Sequence, residues 1–338
     1  MENFQMNSCV LGAGAWGTAM ALHLLKCGHS VSLVPRRIEH AMELTSNREN
    51  KAYLNGFKLP KSLQIGYELE PVLMEAEILF LACPSKGLRP ICEKIQSDTK
   101  GLNHIKLVLI LSKGLEKDSL KMPYEIVKEY FPAVRIGILS GPSFASEVAK
   151  GCPTALSLAV EICSPIMENI QRSISNERFR IYLTDDLKGV EIGGILKNIY
   201  SIGAGLCDGL ELGDNAKSAF ITRAMCELVS IGKSFGGRKE TFYGLSGFGD
   251  FIATCSGDWS RNRSFGESIG KGLKPNNILE NQKTVVEGYV SVECLYKIVR
   301  SKSLDTPILD ELYQILYKEK STNLALNELM ERDLKTEF

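Results

Sequence analysis

Short β-branched apolar runs alternate with helical patterns through the first half of the chain. They predict strands over Ser8–Leu11, Val31–Val34, Ile78–Ala82, Leu107–Leu111, Ile136–Leu139 and Thr154–Val160. The runs at Ile78 and Leu107 are almost continuously apolar, the pattern of parallel strands covered on both faces. Between the first two strands, Thr18–Cys27 carries a helical pattern ended by Gly28. This rhythm predicts a doubly wound α/β sheet of the Rossmann type.

From about Asp186 the extended runs vanish. Long helical patterns replace them, such as Asn215–Phe235 and Ser291–Arg300. Thr306 followed by Pro307 reads as a helix N-cap with proline at the first helical position, opening a helix through Tyr317. A short strand-like run, Arg178–Leu183, closes the first region. The chain therefore divides near Lys188, into a sheet domain of residues 1–188 and an all-helical domain of residues 189–338. No low-complexity linker marks the border, so a long shared helix is expected there rather than a flexible tether.

Composition narrows the class. With 44% hydrophobic and 24% charged residues, the 338-residue chain is globular. Lys plus Arg equals Asp plus Glu at 40 each, against the basic excess of a nucleic-acid binder. A small anionic ligand needs only a few local cations. Met1–Asn7 is polar and unlike a secretory signal, and no stretch of about 18 apolar residues suggests a membrane span. The ten cysteines form no Cys-x-x-Cys pair, so reduced, mostly buried thiols of a cytoplasmic protein are expected. In that compartment the Asn262-Arg263-Ser264 sequon carries no weight. His23, His29, His40 and His104 lack metal-ligand spacing, and no metal is expected.

The sharpest motif is Gly12-Ala13-Gly14-Ala15-Trp16-Gly17, which follows the first strand and opens the first helix. There Gly12 permits the tight turn and Gly14 lets the backbone approach a pyrophosphate. Gly17 allows close helix–strand packing, and the helix N-terminus offers amide donors. A glycine-rich turn without a ligand is the plainer alternative. The second strand of such a unit normally ends in an acid for the ribose 2′-hydroxyl. Here Val34-Pro35-Arg36-Arg37 supplies two guanidiniums, which suit a 2′-phosphate and favour NADP over NAD, unless they form only a solvated basic turn.

Leu111-Ser112-Lys113-Gly114 and Ser140-Gly141-Pro142-Ser143-Phe144-Ala145 stand at strand C-termini, where open α/β sheets bind ligands. Lys113 is then a cation aimed at an anionic or carbonyl-bearing ligand. Alone it reads as a surface lysine, and Gly-Pro-Ser as an ordinary turn. In the helical half, Lys197 and Asn198 interrupt an apolar, small-residue run from Gly193 to Gly205. Burial lowers a lysine's pKa towards the range of a general base, whereas a snorkelling lysine keeps its head in water. Asp250 and Thr254 stand four apart, on one face if that segment is helical. Ser260-Arg261-Asn262-Arg263 precedes a helical pattern, with Ser260 as a cap and Arg261 beside free amides as a phosphate-binding corner. Asp250 as a cap and the arginines as a solvated turn are the alternatives.

In order along the chain, Gly-x-Gly-x-x-Gly-Thr, Ser-Lys-Gly-Leu-Glu, Ser-Gly-Pro-Ser-Phe-Ala, Lys-Asn-Ile, Ser-Arg-Asn-Arg and Val285-Val286-Glu287-Gly288-Tyr289 closely resemble bacterial glycerol-3-phosphate dehydrogenases. The resemblance runs from about Cys9 to about Tyr317. It implies NAD- or NADP-dependent interconversion of sn-glycerol 3-phosphate and dihydroxyacetone phosphate, supplying glycerophospholipid synthesis. The sheet domain is then the dinucleotide-binding one and the helical domain the substrate-binding, catalytic one. The resemblance implies Lys197 as the acid/base, with Lys113, Asn198, Asp250 and Thr254 around the reacting group. It places Gly141, Ser143, Ser260, Arg261 and Asn262 on the substrate side. Towards the cofactor it places Ala15, Trp16, Arg36, Lys113, Ala145, Arg261, Val285 and Glu287. Family members commonly carry an aromatic and a histidine where this chain has Val34 and Arg36. The sequence leaves a homodimer open. A 6-phosphogluconate or β-hydroxyacid dehydrogenase shares the layout and a catalytic lysine, but not the Ser260-Arg261-Asn262 corner. A non-catalytic NADP-sensing module would be expected to have lost Lys197.

Overall fold

The computed structural model describes residues 5–99, 101–281, 285–334 and 336–337. Its strands are β1 (Asn7–Leu11), β2 (Ser30–Val34), β3 (Glu49–Asn50), β4 (Leu54–Lys58), β5 (Gln64–Ile65), β6 (Ile78–Leu81), β7 (Leu107–Ile110), β8 (Ile136–Ser140), β9 (Thr154–Val160) and β10 (Phe179–Thr184). Eight form one sheet in the order β10-β9-β8-β7-β6-β1-β2-β5, and β3 pairs with β4 apart from it. Every strand read from the hydrophobic pattern is present to within one residue at each end. The pattern is silent on β3, β4 and β5, because two are only two residues long and the third is mostly polar.

Buried side chains alternate between the two faces, as the two-residue period of a strand requires. Ile78, Phe80, Leu107 and Leu109 enter one apolar layer, whereas Leu79, Leu81, Val108 and Ile110 enter the other. The sheet is parallel from β5 through β2, β1, β6 and β7 to β8. The β9 strand runs antiparallel to β8. The link between them contains only the helix Ala145–Lys150, too short for a parallel crossover. At β1 the strand order reverses, with β2 on one side and β6 on the other, which opens a crevice at their C-terminal ends.

After Thr184 every described element is helical. The 23-residue helix Leu187–Gly209, here the central helix, is capped by Asp186, whose carboxylate accepts the Gly189 amide at 3.0 Å. It packs on β8 and β9 as well as on the helices around it, so a rigid element joins the two halves. Its Gly205 and Gly209 lie against Gly266 and Gly270 of the helix Arg261–Gly270. A Cβ on Gly205 would stand 1.9 Å from the Arg263 carbonyl oxygen, and one on Gly266 1.9 Å from that of Ile202. Only glycine allows these backbones to touch, and that contact brings Arg261 and Asn262 beside the Lys197 turn.

The helix Pro307–Lys318 starts where the sequence places it, with Thr306 at the N-cap position, but Thr306 makes no side-chain cap. Its hydroxyl turns to Asp310 at 3.3 Å. Glu227 supplies the cap instead, accepting the Ile308 and Leu309 amides at 3.0 and 2.9 Å and the Tyr200 hydroxyl at 2.8 Å. Burial raises the Glu227 carboxyl to about 7. Glu227→Ala strands three buried donors and is expected to cost about 2–3 kcal/mol near pH 5, read from the urea midpoint. A carboxyl raised on folding contributes stability that is full below its unfolded pKa of about 4.3 and is lost as pH rises through the folded value. The gap between wild type and variant should therefore narrow as pH rises through about 7.

No helix among the described residues is long and apolar enough to cross a membrane. All ten cysteines are free thiols. They are less uniformly buried than the sequence suggests: Cys163 and Cys226 are exposed, and Cys27, Cys83 and Cys152 are partly so.

Candidate active site

The turn after β1 has the geometry its glycines predict. Gly12 sits at φ 111°, and a Cβ there would meet the Ala82 carbonyl oxygen at 2.4 Å. Gly17 presses on the Gly12 carbonyl, whereas nothing lies within 4 Å of a Cβ built on Gly14. Ala15 and Trp16 open the helix Ala15–Lys26, whose first turn holds no acidic residue and no side-chain cap. Open backbone at Gly14 and free amides at a helix N-terminus, set at the point where strand order reverses, fit a dinucleotide pyrophosphate. Arg36 and Arg37 follow β2 at the same end of the sheet, exposed and without side-chain partners among the described residues.

Four of the singled-out side chains meet across the two halves. Lys113, just beyond β7, donates to Asp250 Oδ2 at 2.6 Å and to the Gly141 carbonyl at 3.3 Å. Lys197 Nζ, on the central helix, lies 3.0 Å from Asp250 Oδ1 and donates to Thr254 Oγ1 at 2.9 Å. Asp250 and Thr254 share a face of the helix Asp250–Ser256, where the Thr254 hydroxyl donates to the Asp250 carbonyl at 2.6 Å. The segment Leu245–Gly249 before it is a wide, π-type turn. Lys197 does not snorkel; it is nearly buried. Burial, reinforced by the Lys113 charge, holds its ammonium below the ordinary lysine range against the opposing pull of Asp250. Asp250 is buried too, yet the two ammoniums beside it keep its carboxyl below the usual range.

A chain of amides frames this cluster. Asn198 donates to the Lys113 carbonyl at 2.8 Å, and Asn262 donates to Asn198 Oδ1 at 2.9 Å. Each side-chain amide keeps one N–H hydrogen beyond these bonds. Ser260 caps the helix Arg261–Gly270 by accepting the Arg263 amide at 3.2 Å. Arg263 itself is bound to Asp208 at 2.7 Å, which leaves Arg261 as the cation of this corner. The Arg261 guanidinium donates to the Val285 carbonyl at 3.1 Å. Ser143 turns its hydroxyl onto Gly141, and Ala145 begins its helix just beyond. Glu287, the first residue of the helix Glu287–Ser301, grips Ser85 in the turn after β6. Ser85 carries no motif of its own in the sequence, although the rule that ligands gather at strand C-termini points there as much as to Lys113. Among the described residues no three His, Cys, Asp or Glu side chains form a metal site.

A glycine turn at the strand-order reversal, with a lysine–aspartate cluster joining the strand ends to the helical half, is the arrangement expected of a two-part nicotinamide-dependent dehydrogenase. Residues 7–164 match the family model for the NAD-dependent glycerol-3-phosphate dehydrogenase N-terminus, and residues 186–327 match that for its C-terminus. The chain belongs to the NAD-dependent glycerol-3-phosphate dehydrogenase family. It is 39% identical over 97% of its length to the glycerol-3-phosphate dehydrogenase [NAD(P)+] of Nitrosomonas europaea, and covers 98% of that protein. Against the Pelodictyon phaeoclathratiforme enzyme of the same name, identity is 40% over 98% of this chain and 99% of the relative. The crystal structure of glycerol-3-phosphate dehydrogenase from Coxiella burnetii superposes with a TM-score of 0.91 at 32% identity, over 97% of this chain and 100% of that one.

Proposed function

We propose that this chain interconverts sn-glycerol 3-phosphate and dihydroxyacetone phosphate in the cytoplasm, supplying glycerol 3-phosphate for phospholipid synthesis. The Lys113–Asp250–Lys197–Thr254 cluster carries the reading, because it places a nearly buried lysine of lowered proton affinity beside the crevice. In the reducing direction Lys197 gives its proton to the C2 oxygen, and in the oxidising direction it takes that proton back. Asp250 offsets the charge of two adjacent ammoniums, and Thr254 fixes the direction of Lys197 Nζ. Lys113 faces the developing oxyanion as a fixed positive charge. Arg261, Ser260, Asn262 and Asn198 form the substrate corner, with Gly141 and Ser143 lining its other wall. Gly12, Gly14, Ala15, Trp16 and Gly17 would hold the dinucleotide together with Ala145, Val285 and Glu287. The nicotinamide supplies the hydride chemistry when bound. The border between cofactor and substrate domains lies near Lys188. The test is dihydroxyacetone phosphate reduction followed at the nicotinamide absorbance, with 6-phosphogluconate oxidation as the control. Turnover of the second but not the first would overturn the reading.

The exposed, unpartnered Arg36 and Arg37 support NADP as the preferred cofactor. Arg36→Asp is expected to raise the KM for NADPH by roughly tenfold or more while leaving that for NADH within about twofold. Equal changes for both cofactors would mean that these arginines do not read the 2′-phosphate.

A further inference from the structure

The turn after β6 meets the helical half through one residue. Ser85 donates its amide to Glu287 Oε1 at 3.0 Å and its hydroxyl to Oε2, so both carboxylate oxygens are held by the same side of the crevice. The carboxylate also lies on the Lys113–Gly114 turn, where a Cβ on Gly114 would stand 2.3 Å from Glu287 Oε2. The next residue continues the connection, the Gly288 amide donating to Asn262 Oδ1 at 3.0 Å. From Asn262 the bonds pass to Asn198 and then to the Lys113 carbonyl. The result is a closed ring of contacts through the β6 turn, the β7 turn, the central helix and two further helices.

We infer that Ser85 is a positioning residue, which closes this ring by gripping Glu287 and so fixes the Val285 carbonyl and the Arg261 guanidinium at the cofactor side of the crevice. The inference rests on the dinucleotide reading of that crevice. Two observations support it. Val285, which accepts from Arg261, is two residues from the gripped carboxylate. Gly114 leaves no room for that carboxylate to move towards β7. The groups facing Glu287 are Arg261, at the start of the helix Arg261–Gly270, and Lys86 beside Ser85, both of which favour the carboxylate, with the Cys83 thiol of the same turn also near it. Burial outweighs them and lifts the carboxyl above its ordinary range. The Ser85 hydroxyl therefore helps to keep Glu287 ionised, and protonation would weaken the ring as pH falls.

The test is the affinity of the purified protein for NADPH and for NADH, titrated by quenching of protein fluorescence from mildly acidic to mildly alkaline pH. Ser85→Ala is expected to weaken binding by roughly tenfold. It should also move the acid-side loss of affinity to higher pH, because the carboxylate has lost a donor. Ser85→Thr keeps a hydroxyl and should restore both. Wild-type affinity in Ser85→Ala overturns the inference, as does weakened binding with an unshifted pH profile that threonine fails to repair. A wild-type protein that binds the cofactor yet leaves dihydroxyacetone phosphate unreduced sinks the proposed reaction while leaving the Ser85 inference standing. Absence of cofactor binding in the wild type sinks both.

Discussion

Lys197→Ala is expected to lower kcat by about 10²–10⁴-fold, the usual reach of a positioned acid/base, while the cofactor dissociation constant stays within about twofold. The reason lies in what surrounds the amine. Among the described residues Lys197 Nζ bonds to Asp250 and Thr254 alone, and neither belongs to the Gly12–Gly17 turn. Arginine should fail to rescue, since a guanidinium cannot release a proton near neutrality. The wild-type pH dependence follows from the same burial. Glycerol 3-phosphate oxidation needs neutral Lys197, so its kcat should fall as pH drops below the lysine's depressed pKa. Dihydroxyacetone phosphate reduction needs the ammonium and should fall as pH rises through the same value. In Lys197→Ala both limbs should disappear from the residual rate. Wild-type kcat in the variant would remove Lys197 from the chemistry.

For Arg261→Ala the expected loss in kcat/KM on dihydroxyacetone phosphate is about 2–4 kcal/mol, or roughly thirtyfold to a thousandfold. The structure sharpens the case for this residue over its neighbour. Arg263 is committed to Asp208, with Asp258 and Glu267 also near it. Among the described residues Arg261 forms no ion pair and one side-chain hydrogen bond, to the Val285 carbonyl, with Glu287 close enough to feel its charge. A guanidinium with a single neutral partner can still take two phosphate oxygens, and the first-turn amides of its helix have no intrahelical acceptor. Because the family resemblance also places Arg261 near the cofactor, a changed cofactor KM alone does not separate the roles. The measurement that does is kcat/KM on dihydroxyacetone phosphate and on phosphate-free dihydroxyacetone, both at saturating cofactor. A phosphate anchor predicts a much greater loss on the first substrate. Equal proportional losses would assign Arg261 elsewhere. Arg263→Ala, by contrast, should act mainly on stability.

Much of this protein was legible along the chain because its signals are local. Continuous apolar runs at Ile78 and Leu107 read as strands buried on both faces, since runs this short suit a covered strand better than a buried helix. Gly12, Gly14 and Gly17 determine a turn open to a ligand, because steric limits on the backbone operate within a few residues. The order of the motifs determined the family. The tertiary structure alone decided which charges are free and which are committed. The sequence singles out Arg261 within Ser260-Arg261-Asn262-Arg263 only through its cap and the family resemblance, and the tertiary structure adds the reason: Asp208, brought in by the glycine contact of two helices, binds Arg263. Thr306 looks like a cap, but Glu227 arrives from 81 residues away and meets the helix amides first. Lys197 in an apolar run reads on its own as a snorkelling side chain, and only the fold shows Asp250 and Thr254 closing over it. Ser85 and Glu287, 202 residues apart, could be paired only by folding. The physical reason is common to all four. Backbone preference and hydrophobic period act over a turn or a strand, whereas desolvation and charge pairing depend on which distant groups packing brings within a few ångströms.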